Sequence, residues 1–151
     1  MQAPRYRSNV AAILQRDTGE ILIGKRSDQL NCWQFPQGGV KPGETLEGAL
    51  RRELEEEISL RPKDVAIGRR KGPYRYLFDP ERKKEGFDGQ EQFYFLVDLL
   101  PGATEPNPAT SDPEFSEVRW IKPATFQLDW LPPFKREVYR SVFADFFQVA
   151  L

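Results

Sequence analysis

One segment constrains this chain more than any other: residues 38–60, GGVKPGETLEGALRRELEEEISL. Its apolar residues recur at helical spacing, Thr45 suits an N-cap, and Pro62 blocks continuation. The spacing predicts a helix from Thr45 to about residue 58. At about 100° per residue, Leu46, Leu50, Leu54, Ile58 and Ala49 form one buried stripe. Six glutamates lie between Glu44 and Glu57, and they do not all avoid that stripe. Glu57 falls at about 20° from Leu46 and Glu53 at about 340°, inside the stripe, with Glu56 at its edge. Only Glu55, with Arg51, points squarely to water. A solvated charge run therefore accounts for Glu55 and fails for Glu53 and Glu57.

Carboxylates turned inward must be protonated, paired or bound to a cation. Side chains at i, i+3 and i+4 reach one small volume, so Glu53, Glu56 and Glu57 can converge on hard cations, which take oxygen ligands. Such an ion turns mutual repulsion into attraction. Arg52 lies four residues before Glu56 and can also reach Glu44, making a structural clamp.

Composition narrows the chemistry. The chain has 151 residues, enough for one domain spanning 1–151 with a core of its own. It has no histidine, which removes imidazole bases and most zinc sites, and one cysteine, which excludes an internal disulfide. Catalysis must rest on carboxylates, basic side chains and a metal that accepts oxygen. A net charge of -1 argues against electrostatic wrapping of nucleic acid, and no DNA partner is expected. The N-terminal apolar run, residues 10–14, is too short for a signal core or a membrane span, so the expectation is a cytoplasmic protein without a membrane partner.

Residues 9–14 and 20–25 read as strands joined at Asp17-Thr18-Gly19, and 33–36 as an extended piece entering a glycine-rich loop. Residues 65–70, 74–78, 92–99 and 117–121 read as further strands, with 92–99 central because it is almost wholly apolar. Residues 101–113 form a loop. A last helix carries Val138, Val142, Phe146 and Val149 on one face. The expected class is α/β (α+β), a mixed sheet between helices.

Gly38, Glu44, Arg52, Glu53, Leu54, Glu56, Glu57 and Leu60 resemble the Nudix box: Gly, five residues, Glu, seven residues, Arg-Glu-apolar-any-Glu-Glu, any, Gly, apolar. Ser59 stands where the box has its last glycine. YRSNVAAIL, WQFPQGGVKPGE, GQEQFYF, PEFSEVRW and FKREVYR extend the likeness to bacterial RNA 5′-pyrophosphohydrolases and dinucleoside polyphosphate hydrolases. Phe93 departs from it, since relatives often carry a basic residue there.

The resemblance implies a Nudix-type α/β/α sandwich and hydrolysis of a phosphoanhydride by water, a reaction that needs positioning and charge neutralisation. It implies Mg2+, with Mn2+ as a substitute and more than one ion, held by Glu53, Glu56 and Glu57. A backbone carbonyl at Gln37 or Gly38 completes the shell, and Glu114 acts as a further ligand or general base. Glu53 or Glu57 also orients the water. Arg7, Arg26 and Lys135 are candidate phosphate contacts; Phe134 and, more weakly, Tyr76 are candidate base contacts. Gln34 and Gln37 touch substrate or hold the turn, Trp33 and Phe35 pack under the glycine loop, and Cys32 is inert. Three functions follow for comparison: removal of pyrophosphate from the 5′-triphosphate end of RNA, hydrolysis of dinucleoside polyphosphates such as diadenosine tetraphosphate, and a non-catalytic Nudix module that binds nucleotide or RNA.

Overall fold

The chain was analysed as a computed structural model that describes residues 2–82 and 86–151. Seven strands form one mixed sheet: β1 (Tyr6–Gln15), β2 (Ile21–Arg26), β3 (Trp33–Gln34), β4 (Gln37–Gly39), β5 (Val65–Leu77), β6 (Gly89–Leu99) and β7 (Phe115–Ile121). The main order is β3-β2-β1-β6-β5, with β4 paired to β1 and β7 to β2. Among the described residues only β1 and β6 run parallel; the other pairings are antiparallel.

The central strands are apolar on both faces because both faces are covered. Val10, Ala12 and Leu14 of β1, Leu22 of β2, and Phe95 and Val97 of β6 pack with Ala49, Leu50, Leu54 and Ile58 of helix α1 (Leu46–Ile58). Their alternate neighbours Ala11, Ile13, Ile21, Ile23 and Tyr94 pack with Val138, Tyr139, Val142 and Phe143 of helix α2 (Pro133–Phe147). The result is the expected α/β/α sandwich.

Helix α1 begins as its sequence requires: the Thr45 hydroxyl accepts the Gly48 N–H at 2.9 Å. It ends with Ser59 in the left-handed region, φ 63°, where the N–H of Leu60 reaches the Leu54 carbonyl. Glycine suits that conformation because a Cβ crowds the backbone. The serine offsets part of the strain, donating its hydroxyl to the Asn107 carbonyl at 3.0 Å. Replacing Ser59 by alanine removes that bond and keeps the strain, whereas glycine removes both. Urea unfolding is expected to rank Ser59→Gly above Ser59→Ala by about 1 kcal/mol.

Three sequence expectations need correction. Residues 65–70 and 74–78 belong to one strand, β5, whose register shifts between Ile67 and Arg70 and between Lys71 and Tyr74. The irregular backbone around Gly68 and Gly72-Pro73 hid that continuity. The glycine-rich segment is partly a strand, because β4 pairs Gln37, Gly38 and Gly39 with Ala11, Val10 and Asn9. Helix α2 stops at Phe147, capped by Gln148 at φ 54°, so Val149 lies beyond the helix while still packing on the same core. Trp33 and Phe35 also belong to the α2 face: Phe35 stacks on Tyr139 at 5.3 Å and Trp33 meets Trp130. Among the described residues, no helix is long and apolar enough to cross a membrane.

Candidate active site

Strand β4 and helix α1 lie side by side along a cleft of about 770 Å3 lined by Arg7, Gln37, Gly38, Gly39, Glu53, Glu56, Glu57 and Glu114, among others. The glycines are there for proximity. A Cβ on Gly38 would sit 2.0 Å from the Glu53 carboxyl carbon, and one on Gly39 would sit 2.3 Å from an Arg7 guanidinium nitrogen. The strand therefore receives an acid on one glycine and a cation on the next.

The helix presents its acids as the wheel requires. Glu57 is buried, 4% exposed, and accepts the Gln37 N–H at 3.2 Å. Glu53 is nearly as enclosed, its side chain 12% exposed, whereas that of Glu56 is 54% exposed. Burial pushes the Glu57 carboxyl far above the ordinary carboxylate value, and the charge of Glu53 and their mutual hydrogen bond push it the same way. Glu53 is raised too, chiefly by desolvation, against the pull of Arg52. Two desolvated carboxyls in contact share a proton in the absence of a cation.

Arg52 organises the surroundings. Its guanidinium donates to both Glu44 oxygens at 2.8 and 2.9 Å, to the Gly39 carbonyl at 2.9 Å, to Glu53 at 2.6 Å and to Glu56 at 3.2 Å. The forked bond to Arg52, with help from the Lys41 N–H, holds the Glu44 carboxyl down at about 2. The clamp expected between Arg52 and Glu44 is thus present, and it also fastens β4 to α1.

Glu114 immediately precedes β7, with its carbonyl bonded to the Ser27 N–H at 2.9 Å. It opens onto the same cleft and its charge adds to the pressure on Glu57. Among the described residues no three carboxylates already stand together as ligands of one ion: Glu53 and Glu57 bond each other, Glu56 is held at Arg52, and Glu114 comes from the β7 side. The donor set nevertheless fits a hard divalent cation. It is all oxygen, it includes a buried acid pair in which Glu57 has no basic side chain among the described residues bonded to it, and it stands on a glycine cradle that any side chain would fill.

A second cavity, about 300 Å3, shares Arg7, Gln37 and Gln90 with the cleft and continues to Arg26, Tyr76, Phe134 and Lys135. Of the seven residues offered by the sequence as substrate contacts, Arg7, Arg26, Gln37, Tyr76, Phe134 and Lys135 line this cavity, whereas Gln34 is buried and bonds Lys135. Tyr76 and Phe134 rings stand 5.6 Å apart at 35°, while the Tyr76 hydroxyl donates to Gln90 at 2.6 Å. Lys135 is buried and donates to Gln34 at 3.1 Å, so Gln34 orients a cation within the wall. The sequence reading missed Asn9, Gln90 and Gln92. Buried Gln92 donates to both Asn9 and Gln37 and accepts from Tyr94, tying the two cavities to the sheet. Its signal was a pair of glutamines, Gln90 and Gln92, spaced to share one face at the start of a strand that is apolar from Phe93 to Val97. Phe93 faces the other way, under the Arg70 guanidinium at 5.5 Å.

The chain matches the NUDIX domain over residues 5–142. It is 40% identical to the RNA pyrophosphohydrolase of Marinomonas sp. (strain MWYL1), covering 96% of this chain and 92% of that protein. It is 39% identical to the RNA pyrophosphohydrolase of Escherichia coli (strain K12 / DH10B), covering 97% and 85%. Among solved structures, E. coli dihydroneopterin triphosphate pyrophosphohydrolase superposes with a TM-score of 0.69 at 17% identity, over 94% of this chain and 97% of that one. A C. elegans Ap4A hydrolase gives 0.55 at 18% identity, over 78% and 81%. These last two likenesses concern the fold alone. On the span of the domain match and the identity to full-length relatives, the chain belongs to the NUDIX domain family.

Proposed function

We propose that this chain, as one domain, is a divalent-metal-dependent pyrophosphohydrolase that acts on the 5′-triphosphate end of RNA, releasing pyrophosphate and leaving a 5′-monophosphate. The observation that carries this reading is continuity: an acidic cleft suited to a metal–polyphosphate runs directly into an aromatic and cationic cavity of nucleotide size.

Glu53, Glu56 and Glu57, with the Gly38 carbonyl, would hold Mg2+, and Mn2+ would suit the same oxygens. When bound, the ions neutralise phosphate charge and activate water. The residues supply the rest. Gln37 fixes Glu57 through its backbone N–H, and Arg52 fixes Glu53, so both carboxylates meet the substrate already oriented. Glu114, on the solvent side, takes the proton of the attacking water. Water attacks phosphorus at the anhydride, the P–O bond to pyrophosphate breaks, and the leaving group departs along the cleft. Arg7 and Arg26 receive phosphates. The Tyr76 and Phe134 rings are too close to sandwich a base, which needs about 7 Å between ring planes; the base stacks on the outer side of the pair.

Removing metal is expected to abolish product. Pyrophosphate release from a short 5′-triphosphorylated RNA should fall to background in EDTA and return with excess Mg2+. In parallel, kcat/KM for that RNA should exceed the value for diadenosine tetraphosphate. A strong preference for the dinucleotide would replace the RNA reading with the dinucleoside polyphosphate one, and Mg2+-saturated protein inert on both would leave a binding module.

A further inference from the structure

The cavity that takes the nucleotide end contains an ion pair which the reaction does not require. Arg26 donates through Nε to Asp28 Oδ1 at 2.8 Å and through a terminal nitrogen to Oδ2 at 2.7 Å, a forked contact on a carboxylate. Both residues line the cavity with Arg7, Tyr76, Phe134 and Lys135, and Asp28 is the one acid among the described lining residues. The two partners are held differently. Arg26 ends strand β2, its N–H bonded to the Cys32 carbonyl at 2.8 Å, and its side chain is 21% exposed. Asp28 stands on the turn that follows, and its side chain is 62% exposed.

We infer that Asp28 is a specificity-determining residue of this cavity: its carboxylate occupies the Arg26 fork and yields it only to a ligand bearing a phosphate there. A phosphate offers the same two-oxygen geometry with more charge, so it replaces the carboxylate, whereas a base or a neutral linker leaves the pair closed. The displaced acid has solvent beside it to receive its charge. Phosphate binding at Arg26 is consequently an exchange, weaker than binding to an open guanidinium. This inference rests on the proposed reading that the cavity receives the nucleotide end of the substrate.

The test uses the full chain with Mg2+ and a 5′-triphosphorylated dinucleotide RNA, comparing wild type, Asp28→Asn, Arg26→Ala and the double variant. Asp28→Asn is expected to lower KM about fivefold to tenfold with kcat little changed. It should also steepen the dependence of log KM on log salt, because one more unneutralised charge pair forms on binding. Arg26→Ala should raise KM, and adding Asp28→Asn to it should do nothing more, since the competitor has lost its target. If Asp28→Asn leaves KM and the salt slope unchanged, or raises KM, while Arg26→Ala still weakens binding, Asp28 merely positions Arg26 and the inference is wrong. If Arg26→Ala changes nothing in an active enzyme, the inference also falls, and the fault lies in placing substrate phosphate at Arg26. Should Asp28→Asn fold poorly, Asp28→Ala carries the same expectations.

Discussion

Glu57→Gln is expected to lower kcat by about a thousandfold or more while making the metal-free protein more stable. The two effects share one cause. Glu57 is buried against Glu53 with a backbone N–H, and among the described residues no basic side chain, on its carboxylate. In the folded, metal-free chain its carboxyl holds a proton well above the ordinary value of 4.5, whereas the unfolded chain releases that proton near 4.5. Above 4.5 the unfolded state therefore binds fewer protons. The stability given by the protonated pair is complete below that pH and declines as pH rises toward the raised folded value. Metal-free protein should lose Tm steadily from pH 5 to pH 9, and saturating Mg2+ should reverse much of that loss by taking the place of the proton. Glutamine keeps the hydrogen bond from Gln37 and has no charge to desolvate, so the variant's Tm in EDTA should vary far less with pH. Activity and thermal unfolding on the same samples check both parts. A Glu57→Gln protein with near-normal turnover would falsify the assigned role. Glu53→Gln should match the catalytic loss, because its carboxylate rests on Gly38 and bonds Glu57.

Arg52→Ala is expected to damage both fold and catalysis. One guanidinium reaches Glu44, the Gly39 carbonyl, Glu53 and Glu56, whereas the Glu57 side chain adds a single bond between α1 and β4, from the Gln37 N–H. Its loss leaves a carbonyl and three carboxylates without their cation, at a side chain 20% exposed. Tm should fall by about 5 °C or more at neutral pH. Turnover should fall as well, because Glu53 loses its orientation. Arg52→Lys should recover only part of either, since an ammonium cannot fork to Glu44 while also reaching Gly39. The pH signature is opposite to that of Glu57. Glu44 is held down at about 2, so its contribution is present above the ordinary 4.5 and is lost as pH falls toward 2. Wild type should therefore lose stability through that acid window, and Arg52→Ala should show a flatter acid limb in circular dichroism melts.

Neutralising Glu57 is thus expected to strengthen the metal-free fold and removing Arg52 to weaken it, though both belong to one motif. The helix tolerates the buried acid because Arg52, the Thr45 cap and the Leu50–Leu54–Ile58 stripe stabilise it independently. Buried carboxylates that face a cleft rather than a cation are the mark of a site built for binding at some cost to stability.

Helix α1 and the inward aim of Glu53 and Glu57 were determined by sequence alone, because helical geometry is local and its 3.6-residue period converts spacing into direction. The same holds for the Thr45 cap and for the two-faced burial of strand 92–99, whose apolar alternation survives on both sides. Other features were settled only by the tertiary structure. Arg7, Arg26, Tyr76 and the adjacent Phe134 and Lys135 come from four separated stretches, and no periodicity relates them; pairing of β1 with β2 and β6, and of β6 with β5, brings them around one cavity. The continuity of β5 escaped a local reading because its glycines and proline mimic a turn, while pairing with β6 holds the strand together. Asp28 reads as an ordinary loop acid until its chelation of Arg26 is seen inside that cavity. Local backbone geometry fixes where a helix points its side chains, but only long-range strand pairing decides which distant residues share a pocket.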